Sequence, residues 1–535
     1  MRPLIEKELQ LGPLDAKTVI DALGERFTLA PEDELERQST YWDTFDWRVW
    51  SAGGTLVERP ATPDVRALVL EAGEPGPENR RELAWCDRDG RLHKLAWLWG
   101  DDAPGLAEDL PEGLEELGPT LSMRRLLPVL RLRESGPRLR VLDASEKTVL
   151  RLQVVESSAA RDAESPEHDL PTRLRLLPVR GYADEERKVS RFLADRFRLE
   201  PSEHNPFEAG LGAIGRRPGD YSSKVRLRLR RRSTILEACQ TIYTTLLEAM
   251  ITNEAGTRRD LDSEFLHDFR VAVRRTRSAL SQVRGVFSDD VVEHFKQQFR
   301  WLGQITGPTR DLDVYLLKMP AYRADLPPGA QVHLEPLERF LVERQAAEHG
   351  ELVRHLGSAR YRDLIDTWRA QLERPSEGAM AAAPVLEVAS ARIWKNYRRM
   401  VKTGRAITDE TPAEALHDVR IIGKKLRYLM EFFRSLYPTK EIDKAIRELK
   451  RLQDNLGDFN DYEVQEAAMG RFADQLSQSM AADDRDPAST LLAMGRLQAH
   501  LDDGRTRERW RFAERFERFA SVENRARFEA LFKPR

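Results

Sequence analysis

The sequence predicts an α+β protein, with an antiparallel β-barrel in its N-terminal part and an all-α domain in its C-terminal part. Three observations predict this division. Over residues 1–200, short segments of strand-forming residues alternate with Gly, Pro, Asp and Asn. Beyond residue 221, apolar residues recur at the 3.6-residue spacing of helices. Within that second part, two blocks repeat at an offset of 150 residues, which indicates a duplicated helical bundle.

Ten segments of the N-terminal part have the composition or the alternation of β-strands. They cover residues 4–11, 37–42, 55–59, 66–70, 83–86, 92–99, 129–133, 139–142, 149–155 and 172–177. Two predicted helices, at residues 16–23 and 185–197, interrupt the series. Many short antiparallel strands with few helices favour a closed or nearly closed barrel.

The domain boundaries are predicted where the pattern changes. In chain order we expect a barrel domain at 1–202, a linker at 203–221, a helical domain at 222–520 and a C-terminal tail at 521–535. The two repeats of the helical domain are expected at about 222–370 and 384–520.

Composition indicates a globular protein with a strongly charged surface. Of the 535 residues, 41% are hydrophobic and 33% charged. Only two cysteines are present, Cys86 and Cys239, which predicts a reducing compartment rather than a disulfide framework. The N-terminus lacks the apolar core of a signal peptide, and no apolar run approaches the roughly 18 residues of a membrane span. We therefore expect a cytoplasmic protein without a membrane partner.

The net charge of −3 conceals an asymmetry between the two parts. Residues 1–210 carry 30 Lys and Arg against 41 Asp and Glu, a balance of −11. Residues 211–535 carry 56 against 48, a balance of +8. Only the helical part therefore attracts anions in general. Because its excess is modest, the positions of the cations matter more than their number.

The internal repeat is the most informative feature of the sequence. LHDFRVAVRRTRSAL at 266–280 aligns with LHDVRIIGKKLRYLM at 416–430, and WLGQITGPTRDLD at 301–313 aligns with RLQDNLGDFNDYE at 451–463. One offset satisfies both blocks without a gap, which indicates internal duplication.

Each repeat places cations along one side of a helix. Successive residues of a helix are rotated by about 100° around its axis. In this projection the cations of one ridge lie within a sector of about 100°, beside an apolar face. The first ridge consists of His267, Arg270, Arg274, Arg277 and Arg284. The second ridge consists of His417, Arg420, Lys424, Arg427 and Arg434. Arg275 and its counterpart Lys425 flank them, and a further helix repeats the spacing with Arg392, Lys395, Arg399 and Lys402.

Stacked like charges are unfavourable on a helix by about 0.2–0.5 kcal/mol per pair. A bound polyanion turns that repulsion into attraction through charge-assisted hydrogen bonds. Two facing ridges would form a cationic channel for a linear chain of phosphates. Three plainer interpretations stay open: a solvated charged flank, histidines that only make structural hydrogen bonds, and aspartates at 311 and 313 that either orient the arginines or hold a metal.

The two ridge motifs, HDFRVAVRRTR and HDVRIIGKKLRYLME, together with TRDLD and LQDNLGDFND, resemble the CHAD family of conserved-histidine α-helical domains. The resemblance covers roughly residues 215–520. It implies two pseudo-symmetric helical bundles around a basic cavity, binding of inorganic polyphosphate and association with polyphosphate granules. Carried over by position, the binding residues are His267, Arg270, Arg274, Arg277, His417, Arg420, Lys424 and Arg427.

The N-terminal part resembles the CYTH family of triphosphate-tunnel barrels through IEKEL at 5–9, YWDTFD at 41–46 and SAGGTL at 51–56. This resemblance implies Glu6 and Glu8 as catalytic residues and ligands of Mg²⁺ or Mn²⁺. It implies Arg59, Arg131 and Arg133 as phosphate contacts. The chain departs from the family pattern, because Gln10, Val57 and Glu71 stand where basic residues are usual. Each change removes positive charge, so we interpret the barrel as degenerate.

These observations favour a polyphosphate-binding protein that needs no cofactor. The alternative is a metal-dependent triphosphatase or polyphosphatase that uses the barrel. A second alternative is nucleic-acid binding, which is disfavoured because few aromatic residues interleave with the basic ridges. The sequence does not predict the oligomeric state.

Overall fold

The computed structural model describes the chain in two compact units, residues 1–222 and 223–535. The described residues are 7–11, 14–60, 80–88, 92–99, 104–202, 205–224, 227–374, 378–482 and 487–534. Predicted strand 66–70 and the departure at Glu71 lie outside them.

The first unit is built on one eight-stranded antiparallel sheet. Its strands are β1 Lys7–Gln10, β2 Thr28–Thr44, β3 Gly54–Pro60, β4 Arg80–Asp87, β5 Leu92–Trp99, β6 Leu126–Leu142, β7 Thr148–Ala160 and β8 His168–Pro178. Their order is β1-β8-β7-β6-β2-β3-β4-β5. In the described part of the chain β1 and β5 do not pair with each other, so the sheet is not closed and the predicted barrel closure is not seen.

Two predicted strands, 129–133 and 139–142, are one continuous strand, β6. The sequence between them contains Gly136 and Pro137, which suggested a turn. Gly136 instead has φ +135°, and a Cβ there would lie 2.5 Å from the carbonyl oxygen of Val154 on the neighbouring strand. The glycine therefore lets β6 bend against β7 without ending.

Among the described residues, five helices accompany the sheet. They are α1 Ala16–Gly24, α2 Arg48–Ser51, α3 Gly118–Leu121, α4 Ala183–Phe197 and α5 Pro206–Ala213, with single 3₁₀ turns at Ala107–Asp109 and Glu115–Leu117. The two predicted helices, 16–23 and 185–197, are confirmed as α1 and α4. Helix α5 falls within the predicted linker 203–221, which is a correction.

The sequence contains a local signal for α5 that the linker interpretation overlooked. The Asn205 side chain accepts a hydrogen bond from the Glu208 backbone N–H at 2.8 Å, and Pro206 occupies the first turn. Both are typical of a helix start. Phe207 and Leu211 are buried against the sheet, which anchors the helix to the first unit.

The described part of the second unit is mainly helical. Its helices are α6 Ile235–Arg258, α7 Ser263–Gln282, α8 Asp289–Ile305, α9 Gly307–Ala324, α10 Pro328–Gln331, α11 Glu335–Leu356, α12 Ala359–Glu373, α13 Val385–Arg405, α14 Ala413–Phe432, α15 Thr439–Ala482, α16 Ala488–Phe519 and α17 Val522–Phe532. Single 3₁₀ turns lie at Val332–Leu334 and Arg434–Leu436. Among the described residues, none of these helices has the length and apolarity that a bilayer span requires.

The helix bounds repeat at the same offset of 150 residues as the sequence. Helix α7 and helix α14 begin and end at corresponding positions, and so do the starts of α8 and α15. A β-bridge joins two further corresponding residues, Thr234 and Pro384. The repeats differ where α8 gives way to α9 while α15 continues. Pro308 at that point lacks the N–H that continues a helix, whereas its counterpart is Asp458.

One hydrophobic core lies beneath both ridge helices. It contains Phe269 and Ala272 of α7 together with Val419 and Ile422 of α14. A separate core joins α9, α11, α15 and α16. The apolar faces of both predicted ridge helices are therefore buried in one continuous cluster, which fixes the orientation of the ridges.

The C-terminal segment 521–535 was expected to be a tail, and this expectation is corrected. Helix α17 occupies most of it, and Phe528 and Phe532 are fully buried in the main core. The Ser521 hydroxyl accepts a hydrogen bond from the Asn524 N–H at 3.3 Å, as an N-cap does. Phe528 and Phe532 are four residues apart, a spacing that places both on one side of a helix and that could have predicted α17 from the sequence.

Candidate functional site

The two ridge helices line one cavity of about 640 Å³ in the helical unit, which we call the basic cavity. Helix α7 contributes Arg274, Arg277, Ser278 and Ser281; α8 contributes Glu293, Lys296, Gln297 and Arg300; α14 contributes His417, Arg420, Ile421, Lys424, Lys425 and Tyr428. Seven of these lining residues are Lys or Arg and only one is a carboxylate. That carboxylate, Glu293, is itself paired with Lys296 at 3.0 Å. The walls therefore carry a large uncompensated positive charge.

Cations of the first repeat face cations of the second across the basic cavity. Arg274 donates a hydrogen bond from Nε to the Tyr428 hydroxyl at 2.8 Å, which ties α7 to α14. Burial lowers the pKa of Arg420, and the charge of Arg274 lowers it further. The two ridges therefore meet, as a channel for a phosphate chain would require.

Lys424 of the basic cavity lies near three other cations. Burial lowers its pKa to about 8, and the neighbouring charges of Arg420, Arg274 and Arg427 act in the same direction, against the opposing effect of Asp461. Burial and these charges together make its ammonium group hold its proton less firmly than a free lysine does. A polyanion in the cavity would supply a counter-charge.

Corresponding Arg–Asp pairs orient the inner arginine of each ridge. Arg420 lies 3.5 Å from Asp461. In the first repeat, Asp311 acts electrostatically on Arg270, whose pKa is lowered mainly by burial. Arg270 also donates to the Gly303 carbonyl at 3.2 Å and the Thr306 hydroxyl at 3.0 Å. The Arg270 side chain is thus engaged in contacts within the protein, and it does not line the basic cavity.

The two ridge histidines are placed differently. His417 lines the basic cavity, and its Nδ1 lies 2.9 Å from the Asn460 side-chain oxygen. Because that oxygen only accepts, Nδ1 carries a hydrogen and donates it to Asn460. His267 does not line the cavity. The predicted symmetry of the histidines therefore does not extend to this cavity.

Arg275 and Arg427 are turned away from the cavity by a shared carboxylate. Arg275 donates to Glu431 at 2.7 Å, and Arg427 lies 3.5 Å from the same carboxylate. Both guanidinium groups also lie within 6 Å of the Tyr428 ring, at 5.6 and 5.7 Å. The position that corresponds to Glu431 in the first repeat is Ser281, which lines the cavity.

Residues 241–470 match the family model of the CHAD domain. The helical unit therefore contains a CHAD domain. Two solved structures are similar to this chain. The CHAD domain from the plant Ricinus communis is 24% identical and covers 58% of this chain and 97% of its own, with a TM-score of 0.43. PptA from Streptomyces chartreusis is 17% identical and covers 53% of this chain and 100% of its own, with a TM-score of 0.43. No curated protein matches the chain.

Two cations of the CHAD domain line the basic cavity although the sequence analysis did not select them. Lys296 and Arg300 extend from α8, and the charge of Arg300 adds to burial in lowering the pKa of Arg277. They are four residues apart, so the sequence did place them on one helical side. They were missed because their helix is not a ridge helix.

The outer ends of the two ridges do not reach the basic cavity of the CHAD domain, which corrects the helical projection. Helix α7 ends at Gln282 and α14 ends at Phe432, so Arg284 and Arg434 lie beyond the regular helices. Arg434 is paired with Asp443 through two hydrogen bonds of 2.6 and 2.7 Å.

The third predicted cationic series, which begins at Arg392, lies on α13 of the CHAD domain. Arg392 donates to the Arg284 carbonyl at 3.3 Å. Lys395, Arg399 and Lys402 line a separate cavity, described below.

The predicted acidic site of the sheet lies among arginines of the same unit. Glu8 accepts hydrogen bonds from Arg173 at 3.1 Å and Arg175 at 2.8 Å. Burial alone would raise the pKa of Glu134, yet Arg37, Arg175 and Arg173 lower it overall. Glu6 lies outside the described residues. Within the described ranges no group of three or more His, Cys, Asp or Glu side chains is arranged to hold a metal ion.

The arginines of the sheet that were predicted to contact phosphate do not lie together with Glu8. Side chains alternate between the two faces of a strand, so Arg131 and Arg133 of β6 lie on the face opposite Glu134. They line a small cavity of about 80 Å³ instead. Arg59 acts electrostatically on Tyr41 and Cys86. The expected convergence of these arginines on the acidic site is therefore not observed.

Proposed function

We propose that the helical unit binds inorganic polyphosphate in the basic cavity. The observation that carries this proposal is the meeting of Arg274 and Arg277 with Arg420 and Lys424 around one cavity whose lining contains a single carboxylate. Polyphosphate has closely spaced anionic oxygens and no apolar surface. Guanidinium and ammonium donors on both walls match that chemistry through charge-assisted hydrogen bonds. Binding in this form needs no metal or cofactor.

The lining favours a phosphate chain over a nucleic acid. Base stacking requires an accessible aromatic face. Tyr428 is the only aromatic residue among the described residues that line the cavity; it is buried, and Arg274 hydrogen-bonds its hydroxyl. A ligand without bases does not need an accessible aromatic face, so this lining does not weaken its binding. We extend the proposal to its origin and location: duplication of one helical unit produced the facing ridges, and the protein resides on polyphosphate granules in the cytoplasm.

For the first unit we propose a degenerate CYTH-like module that does not hydrolyse phosphoanhydrides. Supporting this, Glu8 and Glu134 are already bonded to Arg173, Arg175 and Arg37. A metal or a triphosphate would have to displace these pairs. Phosphate release from tripolyphosphate with Mg²⁺ or Mn²⁺ is the test. Release that disappears in Glu8→Gln would establish the alternative, a metal-dependent triphosphatase.

The binding proposal predicts a large loss of affinity when both walls are reversed in charge. Arg274→Glu with Lys424→Glu removes one cation from each ridge and adds two anions. Because charge-assisted hydrogen bonds contribute about 1.5–3 kcal/mol each, we expect at least about a hundredfold weaker binding of long-chain polyphosphate. Isothermal titration at fixed salt measures it, because affinity for polyanions depends strongly on salt.

The matched control reverses two exposed arginines of the same unit, Arg354→Glu with Arg369→Glu, whose side chains are 71% and 51% exposed. This control changes the net charge equally but leaves the basic cavity intact. We expect it to bind within about threefold of the parent, as general attraction is largely screened by salt. Equal losses in the two double variants would contradict the proposal.

A further inference from the structure

A second cationic cavity of about 670 Å³ lies along α13, and we call it the α13 cavity. Its lining consists of Trp394, Lys395, Tyr397, Arg398, Arg399, Val401, Lys402 and Arg405 of α13 together with Ala520 and Arg525. Six of these ten residues are Lys or Arg, and no carboxylate is among them. None of the described residues that line the basic cavity takes part.

The cations of the α13 cavity form one side of the helix. Lys395, Arg398, Arg399, Lys402 and Arg405 follow i, i+3, i+4, i+7 and i+10, which keeps them within about 120° of the helix circumference. In the described part of the chain none of the five has an ion pair with a carboxylate. Arg525 does, because it binds Glu529 at 3.1 Å. Cations near a helix C-terminus interact favourably with the helix dipole. Five cations without acidic partners nevertheless repel one another, and a bound anion would relieve that repulsion.

The floor of the α13 cavity is aromatic, unlike that of the basic cavity. Trp394 is only half-buried and stacks on Tyr397 with 5.6 Å between ring centroids and 25° between planes. Tyr397 in turn stacks on the fully buried Phe528 at 4.0 Å and 13°. This stack holds the indole rigidly beside the cationic side. Val401 and Ala520 complete the apolar part of the lining.

We infer that the α13 cavity is a binding site for a nucleoside polyphosphate. Inorganic polyphosphate would satisfy the cations but would leave the aromatic floor exposed to water. A nucleoside polyphosphate has both parts: a flat base that stacks on Trp394, and phosphates that reach Arg399 and Lys402. The volume lies in the range of about 300–1,000 Å³ that is usual for small-ligand sites. This site is independent of the polyphosphate site proposed above.

The test uses the full chain carrying Arg274→Glu and Lys424→Glu, so that binding in the basic cavity does not obscure the result. Adenosine triphosphate, tripolyphosphate and adenosine are titrated calorimetrically with EDTA present. We expect adenosine triphosphate to bind at least about fivefold more tightly than tripolyphosphate, because stacking of one base contributes about 1 kcal/mol or more. Equal affinities would overturn the proposal, since they would mean that the aromatic floor is not used.

Variants separate the two parts of the site. Trp394→Ala should weaken binding of adenosine triphosphate at least about fivefold and leave tripolyphosphate unchanged, whereas Trp394→Phe should restore most of the loss. Trp510→Ala, at a tryptophan that is 71% exposed elsewhere in the unit, is the matched control. Arg399→Glu with Lys402→Glu should weaken binding of both adenosine triphosphate and tripolyphosphate at least about tenfold. Thermal unfolding verifies that each variant is folded. Unchanged nucleotide binding in either the Trp394→Ala or the Arg399→Glu/Lys402→Glu variant would refute the site.

Discussion

The basic cavity and the charged interior of the sheet contain the same residue types in opposite balance. In the sheet, Arg37, Arg173 and Arg175 surround two carboxylates, Glu8 and Glu134, which bond to them directly. In the basic cavity, seven Lys and Arg residues line the walls with one carboxylate, Glu293, which pairs with Lys296, while Asp461 pairs with Arg420. The comparison teaches that a cluster of arginines indicates an anion site only when the protein does not supply the anion itself.

The two regions should also depend on their charges differently. Internal ion pairs hold the sheet together, so their removal should lower stability. The cations of the basic cavity repel one another, so their removal should mainly lower ligand affinity. Three changes test this difference between the two regions.

The largest effect is expected from Glu134→Gln in the sheet. Loss of this buried carboxylate leaves three arginines without their shared counter-charge, and such a loss destabilises by about 3–5 kcal/mol. Thermal and urea unfolding measure it, with Glu156→Gln at an exposed position of β7 as the control. The pKa of Glu134 is lowered in the folded state, so its contribution is complete above its ordinary value of about 4.3. It disappears as the pH falls through the folded-state pKa. A variant as stable as the control would show that these pairs do not hold the sheet.

An intermediate effect is expected from Ser281→Glu in the basic cavity. This change places in the first repeat the carboxylate that Glu431 provides in the second. A carboxylate there would pair with nearby cations and repel phosphate, so we expect about tenfold weaker polyphosphate binding. Ser281→Gln, which has similar size without charge, is the control. Comparable affinities of the two variants would mean that Ser281 does not face the bound chain.

The smallest effect is expected from pH. The pKa of Lys424 is about 8, so its ammonium form predominates below pH 8 and is lost above it. Polyphosphate affinity should therefore fall about three- to tenfold between pH 7 and 9, with proton uptake on binding at pH 8. Lys424→Arg keeps the charge over this range and should remove most of the dependence. A persistent pH dependence in that variant would assign the titration to another group.

Periodicity predicted which helices carry the ridges because helix type and apolar face are local properties. The faces that contain Phe269 and Val419 are buried, as their spacing indicated. Where each ridge ends, and which of its cations stay unpaired, depends on residues elsewhere in the fold and could not be predicted from local sequence. Arg284 and Arg434 were projected onto helices that end two residues earlier. Arg275 and Arg427 matched the pattern, but Glu431 lies where it neutralises both.

In the first unit, alternation located the strands but not their pairing. The strand segments of β3, β5, β7 and β8 were predicted from composition, and the structure confirms them. Whether arginines and carboxylates of different strands converge depends on register and on the face each side chain takes. Glu134 and Arg133 are adjacent in sequence and therefore lie on opposite faces. Which residues of the neighbouring strands each of them meets is decided by the sheet register.

The core beneath both ridge helices limits how this architecture can have arisen. Half of the unit, ending before α13, would expose the parts of α6 and α7 that pack against α13 and α14 in that core. If the unit arose by duplication, its single-copy ancestor would have needed a second copy of itself to cover those faces. Such an ancestor would have been a two-fold symmetric dimer. Fusion of the two copies would then have allowed the positions of Ser281 and Glu431 to diverge, which would give the cavity two unequal walls.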